Sequence, residues 1–191
     1  MSTFNQTTPA KQLVIICPGF HEAQLTDQFV RSLPPFIQPQ VVDAFPADPL
    51  AVFRWLSHTL ADSKRHQPII AIGFSAGVVG LAGALSLWQQ QGGSIAHFFA
   101  LDGWGVPLLG LPISRLSHDG FTHWSTLPLG AGKVNFYADP AVDHLRLWGN
   151  PEQVSGWQVG EKGDIPITAA DFLRQQLSVV SSYATAGGSA S

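Results

Sequence analysis

The chain has 191 residues, of which 45% are hydrophobic and only 12% are charged, and its net charge at pH 7 is −3. This length suits one domain with a full hydrophobic core. The weak negative charge, without any run of Lys and Arg, argues against nucleic acid or an anionic membrane surface as a partner. The one cysteine, Cys17, excludes an intrachain disulfide and indicates a reducing, cytoplasmic compartment. The oligomeric state stays open.

Apolar periodicity predicts strands and helices that alternate along the chain. The predicted strands cover 13–17, 41–45, 68–72, 95–101, 134–138 and 156–159. Helices are predicted over 22–33, from an Asp48-Pro49 start, after residue 77, over 141–148, and from the capping box Thr168–Asp171. Alternation of this kind predicts an α/β fold, a three-layer sandwich with a mostly parallel central sheet of about six strands.

Two segments fall outside this alternation. Residues 103–131 are rich in Gly and Pro and predict an irregular, lid-like insertion into a single domain. Residues 184–191 are small and polar and predict a frayed C-terminus.

The stretch Ile69–Trp88 contains 20 residues without a charge, which is long enough to span a membrane as a helix. Its first residues are β-branched, however, and two glycines interrupt it at positions 73 and 77. A helical stripe of apolar residues spaced by three and four then follows. The pattern therefore predicts a strand, a tight turn and a helix rather than a membrane span.

The turn itself reads Gly73-Phe74-Ser75-Ala76-Gly77 and places one hydroxyl between two glycines. With a strand before it and a helix after it, this is the G-x-S-x-G pattern of a nucleophile elbow. Ser75 would then lie at the carboxyl edge of the sheet, above a helix N-terminus that stabilises developing negative charge. The alternative interpretation is a tight turn that contains a serine by chance.

On these residues the chain resembles the α/β-hydrolase family, in a small form without the usual antiparallel strands at the start of the sheet. The resemblance implies that Ser75 is the catalytic nucleophile. It also implies that the backbone N–H groups of Phe20 and Ala76 form the oxyanion hole. The family often has His-Gly in the loop after the early strand, where this chain has Pro18-Gly19.

Two aspartates are candidates for the acid that orients a catalytic histidine. Asp139, in the sequence Ala138-Asp-Pro-Ala-Val142, resembles the D-x-x-V segment that carries the acid of the family. Asp102, which ends the preceding predicted strand, is the alternative. Each could instead cap a loop. The motif favours Asp139.

The histidine base is harder to predict, because the family normally has it just before the final helix and no histidine follows His144. His144 keeps the chain order Ser, Asp, His, although it follows Asp139 by only five residues. His123 lies in the lid-like segment and could fold down over Ser75. His21, beside the oxyanion loop, ranks third. The remaining histidines are predicted to be solvated (His58 and His66), packed within a strand (His97) or part of the lid-like segment (His118).

Apolar residues dominate the lid-like segment, and Trp104 and Trp124, together with His21, are predicted to line a pocket for an acyl group. We therefore predict a serine esterase, lipase or thioesterase that acts on a hydrophobic ester or thioester through an acyl-enzyme at Ser75. Neither a cofactor nor a metal is predicted, because no phosphate-binding, dinucleotide or metal-ligand spacing is present. The alternative is a catalytically inactive relative that binds a lipid-like ligand or a protein partner.

Overall fold

The computed structural model describes residues 11–60, 67–161 and 163–187. Within these ranges eight strands form one sheet in the order β2-β1-β3-β4-β5-β6-β7-β8. The strands are β1 (Gln12–Cys17), β2 (Ile37–Val41), β3 (Ile69–Phe74), β4 (Ile95–Leu101), β5 (Ile113–Ser117), β6 (Val134–Ala138), β7 (Ser155–Gly160) and β8 (Ile165–Thr168). Strands β1 to β6 are parallel, and β7 and β8 run antiparallel to their neighbours. The fold is α/β, as predicted, but the sheet has eight strands rather than about six.

Helices cover both faces of this sheet. Those described are α1 (Ala23–Ser32), α2 (Pro49–Thr59), α3 (Ala76–Gln90), α4 (Gly120–Thr126), α5 (His144–Gly149) and α6 (Ala169–Gly187). Side chains alternate along a strand, so Val14 and Ile16 of β1 join the core under α1, α5 and α6. Ile15 and Cys17 join the core under α2 and α3. The sheet thus separates two apolar cores and leaves its carboxyl edge between the helical layers.

The second strand begins four residues earlier than predicted, at Ile37 instead of 41. It pairs with β1 at the edge of the sheet, where Val14 lies opposite Pro39. An edge strand tolerates a proline because one of its sides needs no hydrogen-bond donor. The apolar residues that suggested a strand over 41–45 instead lead out of the sheet, after a last ladder hydrogen bond from Val42 N–H to the Ile16 carbonyl (2.8 Å).

The segment 103–131 is not the irregular insertion that its composition predicted. It contains β5, which lies between β4 and β6 with all five residues buried. Helix α4 and a short 3₁₀ helix (Leu127–Leu129) follow. The strand escaped prediction because Ser114, Arg115 and Ser117 interrupt the apolar pattern that identifies a buried strand.

Arg115 is buried in this strand, with 2% of its surface exposed, and has carbonyl groups rather than a carboxylate around it. Its Nε donates to the Gly130 carbonyl (2.5 Å), and its Nη2 donates to those of Val106 (2.8 Å) and Leu129 (3.2 Å). Nη1 donates to the Gly103 carbonyl (3.3 Å). Burial lowers the pKa of Arg115 to about 10, so the guanidinium stays charged at neutral pH. One side chain thus ties both ends of the lid-like segment to the sheet.

At the C-terminal end, Thr168 Oγ1 accepts a hydrogen bond from Asp171 N–H (3.1 Å), which is half of the predicted capping box. Helix α6 then continues to Gly187, residues 188–191 lie outside the described ranges, and the frayed C-terminus stays a prediction. No described helix is both long and apolar enough to span a bilayer, and the uncharged stretch 69–88 is divided between β3 and α3.

Candidate active site

Ser75 lies in a strained turn between β3 and α3. Its φ of 52° and ψ of −118° fall in a region that residues with a side chain rarely adopt. Such strain costs about 1–3 kcal/mol and persists only where the surroundings impose it. Here the N–H of Ser75 is held by the Leu101 carbonyl of β4 (2.9 Å). The result is a half-buried hydroxyl at the carboxyl edge of the sheet, one residue before the first turn of α3.

The loop after β1 packs directly on this turn. A Cβ atom at Gly77 would lie 2.0 Å from the Cys17 carbonyl oxygen, and a Cβ at Gly19 would lie 3.0 Å from Ser75 Cβ. Gly77 therefore has to be glycine, whereas a side chain at position 19 would require Ser75 or Phe74 to shift by a few tenths of an ångström. Among the described residues the N–H groups of Phe20 and Ala76 donate no hydrogen bond, so both are available for an oxyanion.

Cys17 is near the elbow but is unsuited to act as a nucleophile. Its side chain is fully buried in the core under α2 and α3. Burial raises the pKa of the thiol to about 12, so it stays protonated and unreactive at neutral pH. Ser75 is therefore the nucleophile candidate at this edge.

Asp102 follows β4, the strand beside β3, and its carboxylate is almost fully buried. Its Oδ2 accepts a hydrogen bond from His144 Nδ1 (2.8 Å), and its Oδ1 accepts one from the His118 backbone N–H (2.9 Å). Like Ser75, Asp102 has a positive φ, 51°. The backbone thus turns sharply at both residues to present their side chains at the same edge.

His144 is the first residue of α5, the helix that follows β6. The segment before it is held by a hydrogen bond from Val142 N–H to the His118 carbonyl (3.0 Å). The His144 ring stacks on the ring of Phe74, the residue before Ser75, with 4.6 Å between ring centroids. Because Nδ1 donates to Asp102, Nε2 is the nitrogen left to accept a proton.

Neither the Ser75 hydroxyl nor His144 Nε2 makes a hydrogen bond to any other described residue. In unliganded enzymes the hydrogen bond between nucleophile and base is often longer than in the substrate complex. The structure therefore places the His144 ring against the residue that precedes Ser75, with its Nε2 free of hydrogen bonds to the described residues.

Asp139, the acid that the motif favoured, lies elsewhere. Its Oδ2 accepts a hydrogen bond from Trp157 Nε1 (2.9 Å), and it lines a cleft of about 600 Å³ against β7 and β8. It follows β6, three strands away from β3, or roughly 14 Å at the usual strand spacing. Asp102 follows the adjacent strand. The carboxylate paired with His144 is therefore Asp102, which corrects the preference for Asp139.

His118 is a second histidine at the same carboxylate, although its sequence context predicted only a place in the lid-like segment. Its Nδ1 lies 3.0 Å from Asp102 Oδ1, but the ring N–H is not aimed well enough for a hydrogen bond. Its Nε2 lies 3.4 Å from Asp119 Oδ2. The Asp102 carboxylate is the main cause of a raised His118 pKa. The signal that could have found His118 is its place directly after β5, a strand that itself escaped prediction.

The two alternative bases differ in position. His123 is 1% exposed in α4, where its ring packs on Tyr137 and Trp124, and burial lowers its pKa. It is a packed residue rather than a mobile loop residue. His21 contacts the Phe74 ring on which His144 stacks, with 5.6 Å between the His21 and Phe74 centroids.

The predicted pocket residues Trp104 and Trp124 are 65% and 59% exposed. Trp104 Nε1 donates to Ser125 Oγ (3.2 Å), which joins the two segments that carry these tryptophans. They form an open rim rather than the wall of an enclosed cavity.

No protein-family model and no curated protein matches this chain. A function must therefore be argued from the arrangement of Ser75, His144 and Asp102. Ser75 and Asp102 directly follow β3 and β4, and His144 begins α5 after β6, so their convergence reflects the sheet order rather than a local sequence pattern.

The remaining histidines lie apart from this cluster. His58 is exposed on α2, and His66 is outside the described residues. His97, in β4, lines a groove of about 630 Å³ at the opposite, amino edge of the sheet, and its Nε2 lies 3.1 Å from Ser114 Oγ. Burial lowers the pKa of His97 to about 4.

We expect His97 to make the protein less stable in mild acid. The unfolded chain binds a proton at His97 near pH 6.5 and the folded chain only near pH 4, so stability falls as the pH drops through that window. From pH 7 to pH 4, urea unfolding of the wild type should lose about 3 kcal/mol more than that of His97→Gln, which does not titrate. Equal losses in the two proteins would contradict a neutral, half-buried His97.

Proposed function

We propose that this protein is a serine hydrolase of the α/β-hydrolase type, which cleaves a carboxylic ester or thioester through an acyl-enzyme at Ser75. One observation carries the proposal: the ring of His144, stacked beside the Ser75 turn, donates from Nδ1 to the buried carboxylate of Asp102 (2.8 Å). A histidine oriented in this way keeps a lone pair on Nε2, which is what a general base for a serine requires.

In the proposed reaction, Ser75 Oγ attacks the carbonyl carbon while His144 Nε2 takes the hydroxyl proton. Asp102 keeps His144 in the productive tautomer and stabilises the imidazolium that forms. The N–H groups of Phe20 and Ala76 bind the oxyanion of the tetrahedral intermediate. His144 then gives its proton to the leaving alcohol or thiol. A water molecule, deprotonated by the same nitrogen, releases the acid and restores Ser75.

Exposed apolar side chains support a substrate with a hydrophobic acyl group. Loops that follow four parallel strands, and α4 in one of them, carry large apolar residues that are more than half exposed: Phe20, Phe45, Trp104, Phe121 and Trp124. These loops share the carboxyl edge with Ser75, because strands β1 to β5 are parallel. Apolar surface in such amounts around a nucleophile favours acyl chains over polar substrates.

The test is labelling with a fluorophosphonate probe, followed by mass spectrometry of the adduct. We expect one adduct, at Ser75, in the wild type and none in Ser75→Ala. His144→Gln should slow labelling at least about 100-fold, because a general base contributes about 10²–10⁴. His58→Gln, which changes an exposed histidine on α2, is the matched control and should label like the wild type.

The result that would refute the proposal is a folded wild type that the probe does not label. The alternative, an inactive protein that binds a lipid-like ligand or a protein partner through the same apolar edge, would then be the better explanation. Labelling that persists in His144→Gln would keep the serine but exclude His144 as its base.

A further inference from the structure

Side chains that can bind a metal converge at the carboxyl edge from the ends of three strands. One ligand atom each from Asp102, His118 and His144 lies within 4.8 Å of the other two, and it is the one such cluster in the described part of the chain. The contacts to Asp102 are 2.8 Å from His144 Nδ1 and 3.0 Å from His118 Nδ1. Ligand atoms in a tetrahedral zinc site are roughly 3.4 Å apart, given metal–ligand bonds of about 2.0–2.2 Å.

We propose that Asp102, His118 and His144 form a binding site for a divalent transition metal, with Zn²⁺ as the best fit, and that the bound metal inhibits the hydrolase. Two imidazoles and one carboxylate are a donor set that suits Zn²⁺. The inhibition rests on the proposed function, whereas the binding does not.

The geometry at His118 Nδ1 also suits a metal ligand. Its Nδ1 is enclosed by protein and makes no hydrogen bond, although it faces the Asp102 carboxylate. A contact of 3.0 Å to Asp102 that is poorly aligned for a hydrogen bond stabilises the ring less than a bound cation would. A metal ion between the two groups would accept the lone pair of His118 Nδ1 and bind the Asp102 carboxylate, so each group would have a partner.

The surroundings of His118 also fit a metal ligand. Asp119 Oδ2 lies 3.4 Å from His118 Nε2, the nitrogen that would not bind the metal. Histidines that bind metals commonly donate their distal N–H to a carboxylate, which orients the ring and strengthens the bond. Asp143 adds further negative charge near the ring. The site thus attracts a cation and holds Asp102 and His118 in place before one binds.

Metal binding would stop the proposed reaction through the tautomer of His144. A neutral imidazole that gives its Nδ1 lone pair to a metal carries its proton on Nε2. The proton that Nδ1 shared with Asp102 is thus replaced by the metal, and Nε2 has no lone pair to take the proton of Ser75. Any further proton held by the two histidines is released to solvent as the metal binds.

Binding is tested by calorimetric titration with zinc chloride. We expect one tight site in the wild type and in Ser75→Ala, and affinity at least about tenfold lower in His118→Gln and in His144→Gln. His58→Gln controls for binding at exposed histidines and should match the wild type. If both His118→Gln and His144→Gln bind zinc like the wild type, or the wild type has no tight site, the proposal is wrong.

A second readout separates the two proposals. Fluorophosphonate labelling of the wild type should fall at least tenfold with one equivalent of zinc and recover when a chelator is added. Labelling that zinc does not slow would overturn the inhibitory site and leave the hydrolase intact. Zinc binding that depends on His118, in a folded protein that the probe never labels, would support the metal site and refute the hydrolase.

Discussion

Replacing Asp102 by Asn should lower kcat for a short-chain p-nitrophenyl ester by about 10⁴, while the fold is retained. The His118 backbone N–H donates to Oδ1 of Asp102, so an asparagine there must present its amide oxygen to that N–H. Its NH₂ group then faces His144 Nδ1, where Oδ2 now accepts. The amide would force the His144 proton onto Nε2 and remove the base.

Asp139→Asn is the matched control for this substitution. Its side chain accepts from Trp157 at the cleft beside β7, so we expect kcat to change less than about threefold. Circular dichroism and thermal unfolding would show whether each variant folds. A large loss in Asp139→Asn with little change in Asp102→Asn would restore the acid that the sequence motif favoured.

Replacing Arg115 by Met should destabilise the protein by about 3–5 kcal/mol, measured by urea unfolding. The guanidinium donates to four carbonyl groups in the segments 103–106 and 129–130, and a methionine leaves all four without that donor. The buried carbonyls then carry the desolvation cost that the hydrogen bonds offset. Hydrogen exchange in the 103–130 segment should rise as well, because both of its ends lose the same anchor.

Arg174→Met is the appropriate control for this change, because Arg174 is more than one-third exposed and pairs with Glu152 and Asp171. An exposed pair of this kind contributes at most about 1 kcal/mol. If the two arginine variants lost similar stability, Arg115 would not anchor the segment as described.

The sequence predicted the Ser75 turn well because every part of it is local. Two glycines, a β-branched strand before them and a helical stripe after them lie within 20 residues, and the structure has β3, a turn and α3 there. Strands β1 and β3 share this property, because their apolar runs are short and continuous, as is typical of buried parallel strands.

Local patterns of this kind could not identify Asp102 or His118 as neighbours of His144. Whether Asp102 or Asp139 meets His144 depends on the lateral order of the strands, which puts β4 beside β3 and β6 three strands away. That order depends on pairing between distant segments, and no local pattern encodes it. His118 was overlooked because Arg115 made a buried strand look polar. The four carbonyl groups that accept hydrogen bonds from Arg115 come from other parts of the chain.

The proposed metal ligands are also far apart in the sequence, which explains why no metal-binding motif was recognised. The three proposed ligands follow β4, β5 and β6, at positions 102, 118 and 144. Typical zinc motifs have at least two ligands within one turn or helix. Here the parallel sheet, rather than the local chain, supplies the proximity.

The residues of the proposed triad follow β3, β4 and β6, so they are synthesised in that order along the chain. The serine turn emerges first, the buried carboxylate follows about 27 residues later, and the histidine of the proposed triad comes last, after β6. Until β6 has added to the sheet beside β5, the ribosome-bound chain carries a nucleophile without its base. Under the proposed mechanism, a growing chain would therefore cleave no ester or thioester until β6 and the start of α5 are in place.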